Sequence, residues 1–229
     1  MKILVITGTG TEIGKTIVTA AVAAAAQDLR VAVLKPAQTG LAPGEPGDAA
    51  EVARLAGAHV TAVELARFPE PLAPETAARR AGLPPVRPHE IAEAAQKLAT
   101  EHDLVLVEGA GGLLVRYDGQ GSTLADAARL MAAPVLVVAP AGLGTLNSTA
   151  LTTEALRTRG LTCPGVVVGS MPAEPDLASR CNIDDLPVAA GAPLLGAVPA
   201  GAGTLAPADF RSRAASWLSA ELGGKRPAG

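Results

Sequence analysis

Residues 8–16 read Gly8-Thr9-Gly10-Thr11-Glu12-Ile13-Gly14-Lys15-Thr16. They follow the apolar run Ile3-Leu4-Val5-Ile6 and lead into an Ala-rich stretch, Thr16 to Leu29. A short β-branched run, a glycine-rich turn and a helix form a unit with known physical consequences. Glycines let the backbone curl until consecutive N–H groups point inward. The helix that follows adds its positive N-terminal dipole. Lys15 supplies a mobile cation for β- and γ-phosphates, and the Thr16 hydroxyl suits Mg²⁺. The usual spacing places four residues between the first Gly and Gly-Lys-[Ser/Thr]. Here five separate Gly8 from Gly14, so the strict pattern is missed by one position.

Outward from this turn, the pattern repeats. Val31 to Leu34, Leu104 to Val107, Val135 to Ala139, Val166 to Val168 and Leu194 to Val198 are short and mostly continuous apolar runs. Continuous rather than alternating runs suit strands buried on both faces. Helices are expected over Ala49 to Ala56, Pro88 to Glu101, Thr123 to Met131, Asn147 to Arg159 and Phe210 to Leu222. Strands alternating with helices predict an α/β fold: a doubly wound, mostly parallel sheet with helices on both faces. Segments 36–47, 68–88 and 170–193, rich in Pro and Gly, are expected to be long loops. Residues 1–229 read as a single domain, with an ordered core over 1–223 and a short polar tail over 224–229.

Composition narrows the function. The 229 residues carry 19 Lys+Arg and 22 Asp+Glu, a formal net charge of −3. That balance argues against a nucleic-acid wrapper. Hydrophobic residues make up 48 %, enough for a core. No apolar run reaches the length of about 20 residues needed to span a bilayer, and the N-terminus lacks a signal-peptide apolar region. The expectation is a cytoplasmic protein with no membrane or nucleic-acid partner. Two cysteines, Cys163 and Cys181, read as free thiols. The four aromatics, Phe68, Tyr117, Phe210 and Trp217, leave little stacking surface for a planar ligand.

In open α/β sheets ligands gather at the carboxyl ends of strands. Two acids stand near such places. Glu108 ends the run Leu104-Val105-Leu106-Val107 and is followed by Gly109-Ala110-Gly111-Gly112. Asp48 opens a helix after the second strand, where it also reads as an N-cap. Mg²⁺ takes one or two carboxylates together with substrate phosphates, so both are candidate metal ligands with Thr16. Lys35 ends the second strand, in Lys35-Pro36-Ala37-Gln38-Thr39-Gly40. It is one of only five lysines in a chain whose basic residues are otherwise arginine. A compact point charge suits that place better than a guanidinium fork.

Taken together, Thr7 to Thr16, Lys35 to Gly40, Val107 to Gly112 and Leu143-Gly144-Thr145-Leu146-Asn147 resemble the dethiobiotin synthetase family of P-loop NTPases. The longer phosphate loop is itself a trait of that family. The resemblance implies carboxylation and ring closure of 7,8-diaminononanoate with CO₂ or bicarbonate, driven by Mg²⁺ and a nucleoside triphosphate. It implies that Lys15 and Lys35 act on the reacting groups and that Thr16, Asp48 and Glu108 hold the metal. Nucleotide is expected against Glu12, Ile13, Gly14, Lys15, Thr16 and Ile17, against Asp48, Glu108, Gly109, Ala110 and Gly111, and between Gly169, Ser170 and Pro199, Ala200, Gly201. Thr39 would contact the diamine or its carbamate. Gly144, Thr145, Leu146 and Asn147 open a helix that would bind the substrate carboxylate from the neighbouring subunit of a homodimer. No residue reads as a dedicated base, and His59, His89 and His102 fall outside every motif.

One departure concerns the base. Family members often carry an Asn after the Val-rich strand, where this chain has Gly169-Ser170. Loss of a carboxamide donor and acceptor predicts loose base selectivity, with ATP joined by CTP or other triphosphates. Other readings fit less well. A ParA/MinD-like switch ATPase would carry another Lys early in the phosphate loop. An amidating synthase of the cobyrinate type would need a glutaminase domain. A GTPase would show Asn-Lys-x-Asp after a strand. The sequence assigns no work to Arg116, Tyr117 or Asp118.

Overall fold

The computed structural model describes residues 2–224; of the polar tail expected over 224–229, residues 225–229 lie outside the described residues. The chain runs β1 (Ile3–Gly8), α1 (Lys15–Ala25), β2 (Val31–Thr39), α2 (Asp48–Ala56), β3 (Val60–Phe68), α3 (Pro74–Ala81) and α4 (Pro88–Glu101). It continues with β4 (Leu104–Gly112), α5 (Leu124–Leu130), β5 (Val135–Ala139), α6 (Thr145–Thr158), β6 (Val166–Met171), α7 (Leu177–Ala190), β7 (Leu194–Pro199) and α8 (Pro207–Ala214). All seven strands join one sheet in the order β3-β2-β4-β1-β5-β6-β7. Every pairing between these strands is parallel.

The continuous apolar strands bury both faces. On one side Val5, Leu34, Val105, Val107, Val137 and Val168 pack with Ile91, Leu124, Leu156 and Leu186. On the other, Leu4, Ile6, Val33, Leu106, Leu136 and Val167 pack with Val18, Val52 and Phe210. Neighbouring residues of a strand enter opposite layers, as the period of two requires. Small aliphatic side chains fill both layers, in keeping with the scarcity of aromatics.

Four expectations need correction. Strand β3 was not expected; it pairs only with β2, and Thr61, Glu64 and Arg67 interrupt its apolar residues, so it lacks a continuous apolar run. Strand β2 extends to Thr39, so Pro36 to Thr39, expected in the loop 36–47, are strand. Pro36 is tolerated there because the β2–β4 ladder ends at Leu34↔Val107. The expected loops 68–88 and 170–193 contain α3 and α7. Helix α7 carries Pro187 within it, a residue that argues against helix in sequence. At the C-terminus the helix is Pro207–Ala214, with a separate 3₁₀ turn at Ala220–Leu222.

Candidate active site

Strand order builds the site. β4 lies between β1 and β2, so three strand ends stand side by side. Register pairs Leu34 with Val107 and Ile6 with Glu108. Lys35 and Glu108 therefore stand one step further along adjacent parallel strands, on the face covered by α1. A cavity of about 780 Å³ opens there, lined by the loop after β1, by Lys35, Thr39, Asp48, Glu108 and by the turn 71–74.

The loop after β1 is wound tightly. Glu12 holds φ 57 and Gly14 holds φ 92. Positive φ costs a non-glycine residue energy, and such strain concentrates at ligand-binding turns. Gly14 is the N-cap of α1. A Cβ on Gly14 would lie 2.2 Å from the Gly169 carbonyl oxygen, and one on Gly169 would lie 2.0 Å from the Ile13 carbonyl oxygen. The end of β6 thus presses directly on the phosphate loop, and only glycines permit that approach. Position 169 itself has no room for a side chain, whereas Ser170 beside it is exposed.

Glu108 is 1 % exposed and fully engaged. Its Oε1 accepts from the Thr16 hydroxyl at 2.9 Å and from Lys35 Nζ at 3.0 Å. Its Oε2 accepts from the Thr19 hydroxyl at 2.7 Å. Lys35 Nζ also meets Asp48 Oδ2 at 2.5 Å and the Gly109 carbonyl at 3.1 Å. Burial pulls the Lys35 pKa down, but Glu108 and then Asp48 outweigh it and hold the ammonium above its ordinary value. Lys15 moves the other way: burial first, then the like charge of Lys35, lower it. Its Nζ donates to the Gly10 carbonyl at 2.7 Å.

Asp48 is the first residue of α2, and Gly47 rather than Asp48 is its N-cap. The Asp48 N–H donates to Gln38 Oε1 at 2.8 Å. A Cβ at Gly47 would fall 2.1 Å from Glu64 Oε1, so this turn also needs glycine. Among the described residues no group of three or more His, Cys, Asp or Glu gathers into a metal cluster. The donors around Lys35 are two carboxylates, beside one hydroxyl. Such hard oxygens fit Mg²⁺ in a site completed by phosphate.

The cavity brings together Glu12, Ile13, Gly14, Lys15, Thr16, Ile17, Lys35, Thr39, Asp48, Glu108, Ala110 and Gly111. Gly109 joins them through its carbonyl. Gly169 backs the phosphate loop, Ser170 is exposed, and the Ala200 N–H donates to the Met171 carbonyl at 2.7 Å. Pro199, Ala200 and Gly201 thus flank the end of β6 but do not line the cavity. Gly144, Thr145, Leu146 and Asn147 stand apart at the start of α6, also outside it. Three contributors went unread in the sequence: Thr19, Gln38 and Tyr117. Thr19 stands three residues after Thr16, on the same helix face, which was the available signal. Gln38 and Tyr117 gave none. None of the histidines lines the cavity. His59 meets the Ala23 carbonyl, His102 meets Leu98 and Thr61, and His89 is exposed. No helix among the described residues is long and apolar enough to cross a membrane.

Solved structures with this fold include the MinC:MinD cell division protein complex of Aquifex aeolicus, with a TM-score of 0.57, 15 % identity and coverage of 93 % of this chain and 86 % of that one. A ParA family ATPase from Chlorobium tepidum matches with a TM-score of 0.57 at 12 % identity, over 92 % of this chain and 89 % of that one. At such identity they speak for the fold alone. By sequence, a family described as an AAA domain matches residues 2–207. A Streptomyces avermitilis protein named ATP-dependent dethiobiotin synthetase BioD is 70 % identical over 98 % of this chain and 94 % of its own length. A protein of the same name from Saccharopolyspora erythraea is 69 % identical over 98 % of this chain and 99 % of its own length. With its phosphate loop, buried lysine and paired acids in place, the chain belongs to the ATP-dependent dethiobiotin synthetases, P-loop ligases of biotin biosynthesis.

Proposed function

We propose that this protein carboxylates 7,8-diaminononanoate and closes the product to dethiobiotin at the expense of a nucleoside triphosphate. One amine adds to CO₂ and loses a proton, giving a carbamate. A carbamate oxygen attacks the γ-phosphorus, and the nucleoside diphosphate leaves. The second amine attacks the carbonyl carbon of the resulting carbamic-phosphoric anhydride. Phosphate departs, the amine loses its proton and the ureido ring closes. Such chemistry needs positioning and cationic stabilisation more than protein bases.

The observation that carries this reading is the buried Lys35 ammonium beside the phosphate loop. Held positive by Glu108 and Asp48, it can stabilise carbamate and transferring phosphoryl oxygens. Lys15 and the backbone N–H groups over Glu12 to Ile17 hold the phosphates, and Thr39 meets the diamine side. Thr16, Asp48 and Glu108 would hold Mg²⁺, which neutralises charge on the β- and γ-phosphates when bound. Gly109, Ala110 and Gly111 close the same wall. Gly169 and Ser170 face Pro199, Ala200 and Gly201 across the base site.

The substrate carboxylate is assigned to Gly144, Thr145, Leu146 and Asn147 of a second protomer. Two features support this. The Thr145 hydroxyl is buried at the α6 start with no protein hydrogen-bond partner. Leu143 is 90 % and Leu151 59 % exposed on the same element and its approach, apolar surface that a homodimer would cover. A base site without aromatic shelf or carboxamide should also accept CTP and other triphosphates beside ATP.

The test supplies diamine, bicarbonate and Mg-nucleotide and measures phosphate and dethiobiotin together. Equal, diamine-dependent release of both supports the reaction. Phosphate release that ignores the diamine contradicts it. Activity lost on dilution in parallel with sedimentation to monomer supports the shared site; a fully active monomer removes it. A panel of triphosphates at sub-saturating concentration tests base selectivity, and a strict ATP requirement counts against the loose site.

A further inference from the structure

Tyr117 is the only tyrosine in the chain, and nothing in the reaction above uses it. Its ring is 1 % exposed. Its hydroxyl oxygen accepts a hydrogen bond from the Ala110 N–H at 3.0 Å. The other end of that same peptide group is the Gly109 carbonyl, which accepts from Lys35 Nζ at 3.1 Å. One peptide plane therefore links a buried phenol to the buried ammonium.

That plane is a weak point in the wall. It lies in Gly109-Ala110-Gly111-Gly112, and Gly111 already holds φ 68. Gly109, on one side of the peptide, lowers the steric cost of its rotation. A rotated plane would aim an N–H at the Lys35 ammonium, donor against donor. The Tyr117 oxygen is the fixed acceptor that selects the observed orientation. Burial pushes the phenol pKa up, so the ring stays neutral, and its oxygen is free to accept. Tyr117 is itself anchored. Its N–H donates to the Ser122 carbonyl at 2.8 Å. Asp118 Oδ1 accepts from the N–H groups of Gln120 and Ser122 at 3.0 and 2.9 Å. The Arg116 carbonyl accepts from the Glu75 N–H at 3.1 Å.

An ammonium has three N–H donors. On Lys35 they meet Glu108, Asp48 and the Gly109 carbonyl. The Glu108 and Gly109 contacts are deep in the wall. The Asp48 side chain is 35 % exposed, so its arm is the one that faces the cavity. Fixing the two deep contacts fixes where the third donor points.

We infer that Tyr117 is a positioning residue for Lys35, acting through the Gly109–Ala110 peptide to aim the ammonium at the reacting groups. This rests on the reading that Lys35 serves the reaction. Tyr117→Phe keeps the ring and removes the acceptor. Expected is a fall in kcat of about tenfold, the size of one lost hydrogen bond, with nucleotide affinity within about twofold of wild type. A merely structural role would lower kcat by the same factor in any background. The inference instead expects Tyr117→Phe to cost less than about twofold once Lys35 is Met, because coupled residues are non-additive. The same cycle read by urea unfolding needs no activity: a departure from additivity of about threefold or more in the unfolding constant is expected. Additive effects in both readouts overturn the inference, as does an unchanged kcat in Tyr117→Phe. Should Lys35→Met alone keep its kcat, the catalytic reading of Lys35 falls. The unfolding cycle then still decides whether the two residues are linked.

Discussion

Lys35 Nζ stands 3.0 Å from Glu108 Oε1, with both side chains almost wholly buried. The pair faces each other because β2 and β4 run parallel in matched register, one step beyond Leu34↔Val107. Buried ion pairs rarely add net stability, since desolvation consumes most of the attraction. Its value here is a cation of fixed position and charge at the edge of a phosphate site.

In the proposed reaction Lys35→Ala removes a charge whose interaction would strengthen as the transition state forms. The turnover rate should fall by about 10² to 10³, the range seen for one lost electrostatic donor. Nucleotide affinity should change little. Steady-state kinetics beside calorimetric titration of nucleotide separates the two; a loss confined to nucleotide affinity contradicts the role.

Glu108→Ala leaves the Lys35 ammonium with Asp48 as its one counter-charge, the Thr16 hydroxyl without its acceptor and the Thr19 hydroxyl with the Lys15 carbonyl alone. Breaking a buried pair on one side costs about 3 to 5 kcal/mol. A fall of roughly 10 °C in melting temperature is expected for a chain of this size. Glu108→Gln, which keeps an acceptor, should lose less. Calorimetric melting of both variants checks the order.

Gly169→Ala forces a methyl group against the Ile13 carbonyl and Val138. Overpacking costs about 1 to 3 kcal/mol. Because the displaced backbone is the phosphate loop, nucleotide affinity should weaken by about tenfold or more. Titration calorimetry would show it; unchanged affinity would mean that the loop yields freely.

Asp103 provides a test in acid. Hydrogen bonds from the Arg30 side chain and backbone hold its pKa down at about 2, against an ordinary 3.8. A depressed folded pKa means stabilisation present above the ordinary value and lost as pH falls through the folded one. The difference in urea midpoint between wild type and Asp103→Asn should therefore shrink from roughly pH 4 to roughly pH 2. The pair is exposed, so high salt should shrink it too.

Legibility differed by element. The central strands were readable because burial on both faces leaves continuous apolar runs. Edge strand β3 was not, since Thr61, Glu64 and Arg67 break up its apolar residues and it meets only one neighbour. Helix α7 hid behind Pro187, and α3 behind flanking prolines. Within the site, Lys15, Thr16, Lys35 and Glu108 were visible because they end strands or open helices. Gln38 and Tyr117 were invisible because each acts by holding backbone, Asp48 N–H in one case and Ala110 N–H in the other.

The sequence by itself determined the alternation of strand and helix, the phosphate loop, and which charged residues stand at strand ends. These depend on local spacing and periodicity. Only the tertiary structure decided that β4 lies between β1 and β2, which brings Lys35, Asp48 and Glu108 around one point. It alone decided that Gly169 presses on the phosphate loop, leaving no room for a side chain at that position. Strand order and backbone approach arise from packing between distant segments, and no local pattern of residues encodes them.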